Sequence, residues 1–194
     1  SLTSVIFGED SQLTTIGNGA FQYCGSLTSI AIPDGVTTIG YGAFIYCYSL
    51  TSITIPDGVT TIEYLAFNLC RSLTSVIFGE DSQLTTIGEY AFSECTSLTS
   101  ITIPDGVTSI GYDTFNGCTN LTSVTIPDTV TTIGNYAFQD CTSLTSITIP
   151  DSVTTIEDYA FYECTSLTSV TFGENSQLTT IGDGAFQSCG LTLI

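Results

Sequence analysis

The residues able to do chemistry in this chain are few in kind. Eight cysteines, nineteen acids, ten tyrosines and 35 threonines stand beside one basic residue, Arg71, with no histidine, lysine, methionine or tryptophan. Metal binding, nucleophilic attack and proton transfer would have to use thiols, carboxylates and phenols. Zinc needs about four converging ligands, usually with C-x-x-C pairs, and the sequence has no such pair. Cys24, Cys47, Cys70, Cys95, Cys118, Cys141, Cys164 and Cys189 instead recur every 23 or 25 residues, each three residues after a phenylalanine. A stacked column of this kind holds its Cβ vectors parallel, which opposes bridging. The thiols therefore read as small buried apolar groups. Asp34, Asp57, Asp105, Asp128 and Asp151 each follow a proline, and Glu9, Asp10, Glu80, Asp81 and Glu174 take that place elsewhere, giving an acidic ridge. Ca²⁺ is the metal suited to such oxygens, but without a D-x-D-x-D-G loop its binding is expected to be weak. A carboxylate pair could hydrolyse a glycoside, yet nothing singles out one pair among so many copies. No catalytic residue, dedicated metal site or cofactor is expected.

Charge removes further classes. The formal net charge is −18, so the lysines and arginines that neutralise nucleic-acid phosphates or bind anionic lipid are missing. No apolar run approaches the roughly 20 residues that span a bilayer, and no basic-plus-apolar leader opens the sequence. Neither nucleic acid nor direct membrane insertion is expected. A chain without methionine is expected to be a piece of a longer protein. With 42% apolar residues it can still bury a core.

The elements that position these residues repeat. Segments like S-L-T-S-I begin at Leu2, Leu27, Leu50, Leu73, Leu98, Leu121, Leu144 and Leu167, spaced by 25, 23, 23, 25, 23, 23 and 23 residues. The units at Leu2, Leu73 and Leu167 are two residues longer, with F-G-E-D-S-Q-L or F-G-E-N-S-Q-L in place of I-P-D-G-V. L-T-S-I-T-I predicts a short strand, Pro56-Asp57-Gly58 a turn, and V-T-T-I a second extended segment. The spacing of Ala66, Phe67 and Cys70 predicts one helical turn, α or 3₁₀. One unit cannot bury its apolar face, whereas stacked units can. A single repeat solenoid over residues 1–194 is expected, mainly β, with about eight units of 23–25 residues. A leucine-rich repeat, with a concave parallel β-sheet and short helical or 3₁₀ turns on the other side, fits this pattern better than a three-sided β-helix.

Two surfaces could bind a ligand. On the strands, Thr51, Ser52 and Thr54 point outward, as do Thr99, Ser100, Thr102, Thr122, Ser123, Thr125, Thr145, Ser146 and Thr148, giving a face of hydroxyls. Thr suits any solvated sheet, and the choice of residue barely varies between units. Near the helical turn, Tyr23, Tyr41, Tyr46, Tyr48 and Tyr64 gather in the first three units with Arg71 close behind, a composition found at protein hot spots. Later units carry mostly acids and amides there, apart from Tyr162.

The unit L-x-x-I-x-I-P-x-x-V-x-x-I-G-x-x-A-F-x-x-C resembles the BspA-like leucine-rich repeats over essentially the whole chain. Leu144, Ile147, Ile149, Pro150, Val153, Ile156, Ala160, Phe161 and Cys164 form a nearly ideal copy. Departures are Glu63 and Glu157 in place of glycine and Thr114 in place of alanine. The resemblance implies a surface-exposed or secreted protein, extracellular, that adheres to host matrix or other cell-surface proteins. It implies no enzyme and no catalytic residue. A passive spacer displaying another domain is the alternative reading.

Overall fold

A computed structural model describes residues 2–191. The chain winds into coils that each contribute two strands, a first of two to four residues and a second of two, so the first forms the longer series. The longer series is β1 (Ser4–Val5), β3 (Ser29–Ile30), β5 (Ser52–Ile55), β7 (Ser75–Phe78), β9 (Ser100–Thr102), β11 (Ser123–Thr125), β13 (Ser146–Ile149) and β15 (Ser169–Phe172). The shorter series is β2 (Thr15–Ile16), β4 (Thr38–Ile39), β6 (Thr61–Ile62), β8 (Thr86–Ile87), β10 (Ser109–Ile110), β12 (Thr132–Ile133), β14 (Thr155–Ile156) and β16 (Thr180–Ile181). All pairing is parallel and in register between successive coils: Ile53 opposes Val76 and Ile133 opposes Ile156. The period-2 side-chain alternation of a strand sends Ile53 and Ile55 inward and Ser52 and Thr54 outward. Between the two strands, Pro56-Asp57-Gly58-Val59 closes a turn in which the Val59 amide donates to the Pro56 carbonyl at 3.0 Å.

The A-F-x-x-C segment differs from the helical turn its spacing predicts. No helix is present among the described residues. Alternate amides divide their bonds. Ala66, Asn68 and Cys70 donate three residues back to Glu63, Leu65 and Phe67, while Leu65, Phe67 and Leu69 donate across to Glu89, Ala91 and Ser93 of the next coil. A helix would satisfy every amide along its own chain. Here half go to the neighbouring coil, so the segment is a ribbon of linked β-turns, cross-linked like the sheets. The first and third turns of each ribbon need a positive φ, at the residue before the alanine and the residue before the cysteine. Leu65 and Leu69 sit at φ 59° and 62°. Among the described residues sixteen positions adopt this conformation and only four are glycine. Each of the others carries a strain on the order of 1–2 kcal/mol, which the surrounding ladder must hold in place.

The core fills the space between sheets and ribbon. Leucine, isoleucine, valine, phenylalanine and cysteine from each coil stack on their equivalents, and Phe44, Phe67, Phe92, Phe115, Phe138 and Phe161 are fully buried. Eight phenylalanine rings, from Phe21 to Phe186, form one stack with centroids 5.1–5.6 Å apart and planes within 1–13° of parallel. That offset stacking adds to simple area burial.

Candidate functional site: the sheet face and the tyrosine columns

The twelve hydroxyl residues named above all lie exposed on the longer-strand face. Their hydroxyls are not equivalent. Thr51, Thr99 and Thr122 donate their Oγ1 protons to the carbonyls of Thr28, Thr74 and Thr99 one coil back, at 3.4, 3.3 and 3.0 Å. Those hydroxyls keep only acceptor capacity toward a ligand. Thr54, Thr102, Thr125 and Thr148, three positions further along, form a second exposed column. The shorter-strand face repeats the first pattern, with Thr37, Thr60 and Thr154 donating to the coil before. Much of the threonine content therefore braces the coils together.

The aromatic residues expected as one cluster separate into two groups. Tyr23 stacks on Tyr46 at 4.6 Å and 6°, Tyr48 lies 5.9 Å from Tyr46, and the Arg71 guanidinium sits 5.9 Å over the Tyr48 ring. Arg71 also faces Glu94 at 3.9 Å. Tyr41 and Tyr64 belong to a different feature. They begin a ladder continuing through Tyr90, Tyr112, Tyr136 and Tyr159 to Tyr162, with successive centroids 5.3–5.6 Å apart. Tyr90, Tyr112, Tyr136 and Tyr159 did not stand out in the sequence. Tyr41, Tyr64 and Tyr112 lie two residues before the alanine column, while Tyr90, Tyr136 and Tyr159 lie one before it. Counting the two offsets as one column would have revealed the ladder. Burial raises the hydroxyls of Tyr90 and Tyr136, and a hydrogen bond to Glu163 raises that of Tyr162. The phenols stay protonated at neutral pH.

Asp113 lies inside this ladder, only 5% exposed. Burial raises its carboxyl, while hydrogen bonds from Asn116, Tyr90 and Tyr112 pull it back. The cysteines are all free. Seven of them, from Cys47 to Cys189, donate their thiol protons to the phenylalanine carbonyl of the preceding coil at 3.1–3.3 Å. Burial raises Cys47 to about 12 and pushes Cys70, Cys95, Cys118 and Cys141 up as well. These thiols lack the low pKa of reactive cysteines. Of the ridge acids, Asp34, Asp57, Asp105 and Asp128 are exposed and Asp151 is half-buried. Among the described residues no three carboxylates or thiols converge as a metal site, and no helix is long and apolar enough to cross a membrane.

Parallel ladders of in-register coils around a leucine, isoleucine and phenylalanine core define a leucine-rich-repeat solenoid. A family model described as the BspA-type leucine-rich repeat region matches six copies across residues 1–95 and 85–194. The chain belongs to that family. It is similar to a leucine-rich repeat protein of Eubacterium ventriosum, with 30% identity and a TM-score of 0.75 over 91% of this chain and 47% of that one. The leucine-rich repeat protein of T. pallidum matches at 28% identity and TM-score 0.66, over 96% of this chain and 76% of that one. A leucine-rich repeat protein of Bacteroides ovatus matches at 30% identity and TM-score 0.54, over 96% of this chain and 58% of that one. The chain thus spans about half the length of the Eubacterium and Bacteroides proteins. The sequence matches no curated protein.

Proposed function

We propose that this solenoid is a non-enzymatic protein-interaction module that works outside the cell or at its surface, adhering to a host matrix protein or another cell-surface protein. The observation that carries this reading is the exposed face of Ser and Thr hydroxyls, presented at the same height on coil after coil by a cross-linked scaffold. A rigid surface loses little conformational entropy on binding, which favours affinity. The two tyrosine groups supply aromatic contact area of the kind that dominates protein interfaces. The buried thiols of Cys70, Cys95 and Cys141, pushed up by burial, are not activated nucleophiles, which supports the non-enzymatic reading. The charge of −18 directs the module toward partners with basic surfaces.

Binding of this chain to immobilised fibronectin and fibrinogen at physiological salt, with and without Ca²⁺, tests the proposal. The control is a solenoid shortened by two coils, with similar charge per residue. Saturable binding that the shortened form loses is the expected result. Binding no stronger than the control would overturn the adhesion reading and leave the spacer. A Ca²⁺-dependent increase would assign the acidic ridge a part in recognition.

A further inference from the structure

The two-residue extension in some units changes the surface beside it. Where a 23-residue unit ends its strand in Pro-Asp-Gly, the unit at Leu73 runs on through Phe78 and Gly79 into Glu80. This longer loop leans back on the preceding coil. The Gln83 amide donates to the Asp57 carbonyl at 2.9 Å, and the Asp57 carboxylate occupies the space that a Cβ on Gly79 would need. The strand ladder opens on the other side. Four residue pairs join β5 to β7 and three join β9 to β11, but β7 meets β9 only at Ser75 and Ser100. The ladder is also interrupted between β3 and β5 and between β11 and β13, so the long loop is what distinguishes this opening. A groove of about 550 Å³ follows the opening. Its lining includes Ile77, Phe78, Ile103 and Pro104 together with Glu80 and Asp105.

The same construction occurs at the first long unit. Ile6, Phe7, Glu9, Ile32, Pro33 and Asp34 take the corresponding places around a groove of about 290 Å³. Ile6 and Ile77 stand in the outward strand column that holds threonine at 54, 102, 125 and 148, and they are 90% and 52% exposed. Each isoleucine adjoins Phe and Pro side chains that line its groove, and contiguous exposed apolar surface of this kind marks interaction sites. Among the described residues the groove acids have no basic side chain beside them, because the one arginine lies against Glu94 and Tyr48.

We infer that the two grooves are paired binding sites for one extended, basic peptide segment of a partner protein. An aliphatic side chain would seat on Ile77, Phe78 and Pro104, with a flanking Lys or Arg between Glu80 and Asp105, and the first groove would take the second such element. Three coils separate the grooves, roughly 14 Å at ~4.8 Å per parallel strand. An extended chain covers about 3.3–3.6 Å per residue, so residues four apart reach both grooves and point the same way. Linked occupancy makes the second contact intramolecular, which multiplies affinity. This rests on the protein-interaction reading and adds a location and a ligand chemistry to it.

The test uses a fluorescein-labelled peptide Lys-Ile-Lys-Ser-Lys-Ile-Lys at physiological salt, read by anisotropy. One comparison peptide has both isoleucines replaced by serine, and another has them three apart. Ile77→Thr, Ile6→Thr and the double variant install the residue the other coils carry there, with an unchanged thermal melt as the check on folding. The expected result is roughly tenfold tighter binding of the first peptide than of the serine peptide, the transfer of a buried isoleucine or two. Each single variant is expected to weaken it about fivefold, and the double variant to erase the preference. Equal binding of the serine peptide, an unchanged double variant or no binding would each overturn the groove assignment. Fibronectin and fibrinogen binding is measured on the same preparations. Matrix binding kept while peptide selectivity fails removes the grooves alone, and peptide selectivity without matrix binding removes the adhesion reading alone.

Discussion

The turn ribbon and the longer-strand face lie side by side on every coil and are cross-linked in the same way, yet they use side chains oppositely. In the ribbon, side chains complete the structure: phenylalanine rings stack in the core, thiols bond to carbonyls, and bulky residues are held at positive φ. On the sheet face, one threonine column bonds to the coil before, while the column of Thr54, Thr102, Thr125 and Thr148 is left to solvent. Stability is therefore concentrated in one region, and freedom to change is concentrated in the other. The lesson is that a repeat surface constant in sequence can hold both a column that braces the coils and a column free of that duty.

The largest contrast should come from truncating the ribbon's core. Phe115→Ala removes a fully buried ring between Phe92 and Phe138, and a loss of about 3–5 kcal/mol in urea unfolding is expected. Relief of backbone strain should be next in size and opposite in sign. Glu163→Gly at φ 57° is expected to gain about 1 kcal/mol, and no gain would mean that the ladder, not the residue, sets the cost.

Asp113→Asn probes the one carboxyl that burial pushes up. Because the folded value is raised, the charged form opposes folding. The variant should match the parent in acid, where both the folded and unfolded chains are protonated. Its advantage should then grow as pH rises through the unfolded value near 4 and level off above the raised folded value. Urea midpoints of both proteins across that range are the measurement. The smallest effect belongs to the sheet face. Thr125→Ala should change stability by under about 0.5 kcal/mol, and a larger loss would show that the hydroxyls brace the fold.

Much of this was legible in the sequence. The fixed spacing of leucine, isoleucine, phenylalanine and cysteine gives the number of coils, the register and the core, because in-register stacking leaves each column one environment. The two strands and the proline turn followed from alternation and turn chemistry. The ribbon did not, since an Ala-Phe-x-x-Cys spacing suits both a helical turn and linked β-turns. The distinction lies in where alternate amides donate, and bulky residues such as Leu65, Leu69 and Tyr90 conceal the positive φ that glycine would have advertised. The tyrosine ladder was hidden by its one-residue change of offset. The grooves were marked by the F-G-E-D-S-Q-L insertion, but which neighbouring coil the longer loop would lean on depends on Gly79 fitting over Asp57.

The coil-to-coil bonding also has a mechanical meaning. Every ladder, in sheets and ribbon alike, ties residues 22 to 26 positions apart. A pull on the two ends would load the outermost coil first and release it before its neighbour. Each event would free about 23 residues, or roughly 76–83 Å of extended chain at about 3.3–3.6 Å per residue. Under load the solenoid would lengthen in steps while the remaining coils stay wound.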